Sequence, residues 1–172
     1  MKSNNRYAAV DFETLDTWRA TICQLSCVIF EDGKIVEEYE TYICPPSKNE
    51  NKYCLDTHGI RYKDVENAPT FDEIWPKVHE MIGDSPVISH NAPFERSCLK
   101  ACNEEFGTPC DYKFIDTLTL SRKLLKKLYN HKLDTVCRYL GVRLKRHHDA
   151  LEDARACGQV YLKLKERFLL TD

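Results

Sequence analysis

The stretch Val10-Asp11-Phe12-Glu13-Thr14 places two acidic residues at the end of a short apolar run, Tyr7-Ala8-Ala9-Val10. Such a run is typical of a buried strand. Because side chains two residues apart on a strand point to the same face, Asp11 and Glu13 are predicted to project together. Burying two uncompensated carboxylates is costly, so the pair indicates either solvated acids at a strand end or a site that receives a cation.

The composition predicts one compact domain over residues 1–172, since a chain with 42% hydrophobic residues and this length can bury a core. Its apolar runs fall well short of the ~20 residues that cross a bilayer, and residues 1–6 lack the apolar stretch of a secretion signal. Nine cysteines without a C-x-x-C pair are typical of reduced thiols. We therefore expect a cytoplasmic protein with no membrane partner. A structural zinc on Cys98 and Cys102, or on Cys54 and His58, is the alternative.

Charge is distributed unevenly along the chain, although the net charge is only −2. Residues 113–148 hold 10 of the 25 Lys and Arg residues but only 2 of the 27 Asp and Glu residues. Such a segment predicts a cationic surface that suits nucleic acid. Lysines that only solvate helix faces are the alternative interpretation.

Periodicity predicts the order of strands and helices. Apolar, β-rich segments at 23–30 and 35–43 flank Glu31-Asp32-Gly33-Lys34, a hairpin signal, and with the first strand they predict three antiparallel strands. Short apolar runs at 86–89 and 113–116 predict two more strands. Helices are expected at 71–82, 92–106, 117–128, 133–140 and 150–169, with a loop over 44–69. The fold class is therefore predicted to be α/β, with a mixed five-stranded sheet (three antiparallel strands, then two parallel) flanked by helices.

Three further acidic sites lie where predicted strands end or predicted helices begin, and one of them is Asp116, at the end of the fifth predicted strand. The fourth strand is followed by His90-Asn91-Ala92-Pro93-Phe94-Glu95, in which Asn91 is the expected N-cap and Glu95 lies in the first helical turn. The last helix opens with His147-His148-Asp149-Ala150-Leu151-Glu152-Asp153. Asp149 and Glu152 have the spacing of a capping box, which leaves Asp153 available for another role.

Four of these acids form a possible ligand set of hard oxygen atoms without cysteine: Asp11, Glu13, Glu95 and Asp153. Such a set suits Mg²⁺ or Mn²⁺ better than zinc. Two such ions about 4 Å apart clamp the attacking and leaving oxygens of a phosphodiester. His148 lies just before the last helix, and an imidazole, with its ordinary pKa of about 6.5, can accept a proton near neutral pH.

Three segments, in this order and spacing, carry a resemblance to a known family: Asp11-Phe12-Glu13-Thr14, His90-Asn91-Ala92-Pro93-Phe94-Glu95 and His148-Asp149-Ala150-Leu151-Glu152-Asp153. They resemble the motifs of the DEDDh (DnaQ-like) 3′–5′ exonucleases, which have a ribonuclease H-like fold. That family includes the proofreading epsilon subunit of bacterial DNA polymerase III and stand-alone homologues. His58-Gly59-Ile60 is similar to a further family segment, whose histidine lies near the terminal nucleotide.

The resemblance implies roles for individual residues. Asp11 is expected to bridge two Mg²⁺ or Mn²⁺ ions, with Glu13 and Asp153 on the first and Glu95 beside the second. His148 is expected to be the general base. The residues expected to bind the substrate are Phe12, Thr14, Leu15, His58, His90 and Asn91.

We therefore predict a two-metal 3′–5′ exonuclease that acts on the 3′ end of single-stranded nucleic acid, DNA rather than RNA, and releases nucleoside 5′-monophosphates. The alternative is an exoribonuclease, whose substrate is RNA. Glu95 stands where the family usually has Asp, so a catalytically impaired nucleic-acid-binding module is a further alternative. The sequence ends soon after its last predicted helix, from which we expect a free-standing enzyme without a polymerase partner.

Overall fold

Three antiparallel strands open the fold: β1 (Arg6–Thr14), β2 (Ile22–Glu31) and β3 (Lys34–Tyr42). The structure, a computed structural model, describes residues 5–146 and 148–170. β2 and β3 are joined by Asp32 and Gly33, whose φ angles are 49° and 78°. Two successive positive φ angles are what a type I′ hairpin turn requires. The predicted hairpin is therefore confirmed.

Two short parallel strands, β4 (Val87–Ser89) and β5 (Phe114–Asp116), extend the sheet on the other side of β1. The strand order is β3-β2-β1-β4-β5, so β1 is the central strand. This arrangement confirms the predicted mixed five-stranded sheet. Because β1, β4 and β5 run parallel, their carboxyl ends meet at one edge, where α/β proteins commonly bind ligands.

Helices flank the sheet on both faces. In the described residues they are α1 (Lys52–His58), α2 (Tyr62–Val65), α3 (Phe71–Ile82), α4 (Ala92–Phe106), α5 (Thr117–Leu124), α6 (Leu133–Leu140) and α7 (Ala150–Phe168). The bounds of α4 and α6 agree with the prediction, and α3 begins after its predicted cap, Thr70. α5 ends at Leu124, four residues earlier than expected, and α7 ends at Phe168, one residue earlier than expected.

The prediction of a continuous loop over 44–69 is wrong, because α1 and α2 lie within it. Asn51 caps α1 by accepting a hydrogen bond from the Tyr53 backbone N–H at 2.9 Å. No residue of α1 is buried. A helix without an apolar face has no hydrophobic periodicity, which explains why the sequence pattern missed it.

The core occupies both faces of the sheet. On one face, Phe12 and Leu25 pack with Trp75 of α3 and Cys98 of α4. On the other face, α7 packs against β1 and β2. There Gly158 allows close approach, since a Cβ atom at this position would lie 2.2 Å from the Phe30 ring. The sheet is thus held between two helical layers, and its carboxyl edge is left accessible.

No helix in residues 5–146 and 148–170 is long and apolar enough to cross a membrane. All nine cysteines are free thiols. The organisation as one domain and the cytoplasmic location stay predictions from the sequence.

Candidate active site

β1 delivers the first pair of acids. Asp11 and Glu13 lie opposite Ser26 and Gln24 of β2, and the buried Phe12 between them points to the other face, with its ring centroid 6.2 Å from that of Trp75. This is the alternation that a pleated strand imposes. The register shifts between Glu13 and Thr14, so regular pairing ends beside the two carboxylates.

The segment after β4 delivers Glu95. Asn91 is the N-cap of α4, as predicted, but its side chain makes no capping hydrogen bond and its φ is 85°. The Asn91 N–H instead donates to Asp116 Oδ1 at 3.0 Å. Asp116 also accepts from the Leu118 N–H and the Thr119 hydroxyl. Burial acts to raise the pKa of Asp116, but these hydrogen bonds outweigh it and lower the pKa. Asp116 therefore holds the second motif in place as a carboxylate.

The start of α7 delivers Asp153. Asp149 caps this helix by accepting from the Glu152 N–H at 3.2 Å, and Ser26 donates to the Ala150 carbonyl at 2.6 Å. Asp153 is only 4% exposed, and its Oδ2 accepts from the His148 backbone N–H at 2.9 Å. His148 is exposed, with a φ of 68°. His147, the residue before it, lies outside the described residues.

The four acids share one electrostatic environment. Burial raises the pKa of Asp11 well above its ordinary value, and the charges of Glu13, Glu95 and Asp153 raise it further. Burial also raises the pKa of Glu95 to about 8, with added contributions from Asp116 and Glu13. Since burial and neighbouring carboxylates both disfavour the ionised forms of Asp11 and Glu95, the cluster calls for a compensating cation.

The residues fit a divalent cation that keeps other ligands. Glu95 Oε2 is buried and has no hydrogen-bond partner among the residues that the structure describes. No group of three or more His, Cys, Asp or Glu side chains within the described ranges is arranged as a ready-made metal cage. Mg²⁺ needs no such cage, because it commonly binds one or two carboxylates and completes its shell with water and substrate phosphates.

A zinc site on the cysteines gains no support. Cys98 and Cys102 are part of the hydrophobic core. Both ring nitrogens of His58 are occupied: Nδ1 accepts from the Ile60 N–H at 3.1 Å, so in the neutral ring Nε2 donates to the Thr14 carbonyl at 3.1 Å. Burial lowers the pKa of His58, which favours this neutral form.

A cleft of about 1180 Å³ brings most of the predicted site together. Of the predicted residues, those that line it are Asp11, Phe12, Glu13, Thr14, His58, His90, Asn91, Glu95, His148 and Asp153. Leu15 does not line the cleft. Its side chain is fully buried among Cys23, Ile60 and Val65, because the chain turns after Thr14 and directs it into the core.

His90 lines the cleft, and its ring also makes hydrogen bonds to the protein. Its Nε2 donates to the His131 carbonyl and its Nδ1 meets the Thr117 hydroxyl, both at 2.8 Å. Both nitrogens are thus engaged by protein atoms, and the ring ties the second motif to the segment between α5 and α6. This role depends on a contact 41 residues away, which no local pattern reveals.

Several lining residues were not predicted individually. The turn between β1 and β2 contributes Thr17 and Arg19, and α1 contributes Tyr53 and Thr57. Of the ten basic residues of the charged segment, only Arg122 and Lys132 line the cleft. The charge asymmetry was a signal for those two. Arg19 lies outside that segment, and no pattern in the sequence indicated that it would line the cleft.

The sequence profile of the RNase T family, described as exonuclease, matches residues 9–161. The DNA polymerase III PolC-type proteins of Thermotoga maritima and Caldanaerobacter subterraneus subsp. tengcongensis are 35% and 32% identical to this chain over 163 residues. These alignments cover 93% and 94% of the chain but only 12% of each relative. The chain thus spans a small part of the length of these relatives.

Solved structures share the fold. Exonuclease X in complex with 5′-overhanging duplex DNA superposes with a TM-score of 0.81 at 20% identity, covering 96% of this chain and 94% of that chain. The nuclease domain of 3′hExo, a DEDDh family member bound to rAMP, superposes with a TM-score of 0.77 at 17% identity, with the same coverage of 96% and 94%.

Proposed function

The chain belongs to the RNase T, or DnaQ-like, family of 3′–5′ exonucleases, and we propose that it removes 5′-mononucleotides from the 3′ end of single-stranded DNA with two Mg²⁺ or Mn²⁺ ions. The observation that carries this proposal is the convergence of four carboxylates on one cleft. The charges of three of them, Glu13, Glu95 and Asp153, raise the pKa of the fourth, Asp11. Such a cluster is stable in the ionised form only with cations present.

The protein's part in metal binding falls to Asp11, Glu13, Glu95 and Asp153. When bound, Mg²⁺ or Mn²⁺ supplies an activated water and neutralises charge on the phosphate. These carboxylates would orient the ions, and two of them, Glu95 and Asp153, are buried. The buried, unpartnered Oε2 of Glu95 supports a ligand role for that residue and so argues against a decayed site.

His148 is the proposed general base. Its side chain lines the cleft, and its backbone is held by Asp153, one of the proposed metal ligands. A base in this position accepts the proton of the attacking water, and a neutral imidazole is suited to this near pH 7.

The terminal nucleotide is proposed to lie against Asn91 and the backbone of Phe12 and Thr14, because both of the latter side chains are only 3% exposed. His58 holds the Thr14 carbonyl, so it fixes the end of β1 beside the acids. The neutral form of His58 suits this structural task, because a single proton on Nε2 satisfies both of its hydrogen bonds.

DNA is the favoured substrate because the relatives above 30% identity are named as DNA polymerases. RNA is the second candidate, since the 3′hExo nuclease domain was solved with a ribonucleotide. The two differ at the 2′-hydroxyl, which a protein recognises by a direct contact.

The test is digestion of matched single-stranded DNA and RNA of one sequence by the purified 172-residue chain, without added polymerase. With Mg²⁺ or Mn²⁺ we expect 5′-mononucleotides, faster from DNA, and no product in EDTA. Equal or faster digestion of RNA would assign the exoribonuclease alternative. Cleavage of a circular strand, or full activity in EDTA, would contradict the proposed function. Activity of the chain alone also tests the expectation that it works without a polymerase.

A further inference from the structure

The turn between β1 and β2 is tightly hydrogen-bonded and faces the cleft. The Thr21 hydroxyl donates to the Trp18 carbonyl at 2.7 Å and accepts from the Asp16 N–H at 3.1 Å. The Thr17 N–H donates to Asp16 Oδ1 at 2.6 Å. These bonds fix the backbone of a turn whose tip, including Arg19, is exposed.

Arg19 is held from the other side by the second motif. Its guanidinium carbon lies 4.5 Å from the centroid of the Phe94 ring, and Phe94 directly precedes Glu95. Within the described residues the Arg19 side chain makes no ion pair and donates no hydrogen bond to the protein. A guanidinium that lies against a ring keeps its N–H donors free at its edges.

Both residues line the cleft together with the four acids. The proposed ions would neutralise the acids and the scissile phosphate. The neighbouring phosphates of the strand need other positive groups. Arg122 and Lys132 line the cleft from the segment after β5. Arg19 is a cation contributed to the same cleft by a different part of the chain, the turn between β1 and β2.

We propose that Arg19 binds a backbone phosphate of the substrate strand next to the scissile one, and that Phe94 positions it. The inference rests on the proposed nuclease function. Arginine suits this task because its planar fork of donors matches two phosphate oxygens, and the ring restricts the plane of that fork. Phe94 is partly buried against the core, so it is a fixed support.

The chain offers a matched control in Arg96. This arginine also lies over a phenylalanine ring, that of Phe114, with 5.4 Å between the guanidinium carbon and the ring centroid. It is exposed and on the same helix as Phe94, but it does not line the cleft. Arg96→Ala thus removes the same charge and the same type of contact away from the substrate.

The experiment compares the parent with Arg19→Ala, Arg19→Lys, Phe94→Leu and Arg96→Ala. KM and kcat are measured on a single-stranded DNA oligonucleotide with Mg²⁺. Binding of the same fluorescent oligonucleotide is measured in EDTA over a range of KCl concentrations. Circular dichroism melting checks that each variant folds.

For Arg19→Ala we expect KM to rise about tenfold at nearly unchanged kcat, the size of one lost charge-assisted contact. The slope of log affinity against log salt should fall by about 0.7, the value for one phosphate on a single strand. Arg19→Lys should keep the salt slope of the parent, and its KM should lie between those of the parent and of Arg19→Ala. Phe94→Leu should raise KM with the slope retained, and Arg96→Ala should match the parent.

The inference is overturned if Arg19→Ala matches Arg96→Ala in KM and salt slope, or if it lowers kcat with KM unchanged. A parent that neither binds nor digests nucleic acid would overturn the proposed function and this inference with it. That failure appears in the parent itself, so it is distinguishable from a failure confined to Arg19.

Discussion

Glu95 is a buried carboxyl whose charged form is disfavoured by its surroundings. It is 3% exposed and its pKa is raised by burial to about 8, against an ordinary value of 4.5. Between these two pH values the unfolded chain is ionised at this position while the folded protein holds the proton. A rise in pH through this window therefore lowers the free energy of unfolding. The contribution of Glu95 is fully present below pH 4.5 and is lost as the pH rises to about 8.

We therefore predict that, in EDTA, the melting temperature of the protein falls as the pH rises from 4.5 to about 8. Glu95→Gln should flatten this slope, although Asp11 contributes a shift in the same direction. Mg²⁺ at the upper end should raise the melting temperature of the parent, because it binds only the folded state. Glu80→Gln, on the exposed face of α3, is the control and should follow the parent. An equally steep slope in Glu95→Gln would contradict the prediction.

The length of the Glu95 side chain matters less than its charge. Glu reaches about 1.5 Å further than Asp, which a rotamer change or a water molecule can absorb. We expect Glu95→Asp to retain or improve activity and Glu95→Gln to lose most of it, measured across a Mg²⁺ titration. If Glu95→Gln equals the parent at every Mg²⁺ concentration, Glu95 does not bind a metal ion.

His148→Ala should lower kcat by about 10²–10⁴-fold, the range for loss of a general base, while oligonucleotide affinity is retained. His79→Ala is the control, since His79, on α3, hydrogen-bonds Tyr112 and does not line the cleft. Single-turnover rates and equilibrium binding separate the two effects. A loss of only a fewfold in His148→Ala would move the role of base to another group, with His147→Ala as the next variant.

At the scale of elements, the approach of α7 to β2 sets the position of Asp153. A Cβ atom on Gly158 would lie 2.2 Å from Phe30, a ring that is only 1% exposed, so the packing between α7 and β2 would have to shift. Gly158→Ala gains about 1 kcal/mol of helix propensity, but overpacking costs about 1–3 kcal/mol. We predict a net loss of stability in urea unfolding. Gln159→Ala should stay near the parent, and Phe30→Leu should partly rescue Gly158→Ala; a stabilised Gly158→Ala would contradict the account.

The segment from α5 to α6 forms the basic wall of the cleft. Arg122 lines the cleft, whereas Arg143 is exposed elsewhere in the same charged segment. Arg122→Glu should weaken oligonucleotide binding and lower the salt slope by about one unit. Arg143→Glu should change both much less. Equal effects of the two reversals in a binding titration would mean that net charge, and not this wall, governs affinity.

For the molecule as a whole, the sequence predicted those features that have local causes. Alternation along β1, the Asp32-Gly33 turn, and the capping box in which the Thr70 N–H donates to Glu73 at 2.8 Å are properties of neighbouring residues. The acidic motifs could be assigned to one edge because parallel strands bring their carboxyl ends together.

Features that depend on distant contacts could not be predicted. The side chain of Leu15 turns into the core, His90 bonds to the His131 carbonyl, and Arg19 meets Phe94. Each of these depends on how the chain folds back over itself, and none changes the local pattern of hydrophobic residues. α1 was missed for a related reason, because its residues are stabilised by a cap and not by burial.

The central claim is that the four acids of the cleft hold the ions for hydrolysis from the 3′ end. The most direct measurement is digestion, with Mg²⁺, of one oligonucleotide labelled in separate samples at its 5′ and 3′ ends, by the parent and by Asp11→Asn. For the parent, the 5′ label should give a ladder that shortens with time, and the 3′ label should leave at once as a mononucleotide. Asp11→Asn should be folded and inactive. A ladder from the 3′ label, or an unchanged rate in Asp11→Asn, would contradict the account.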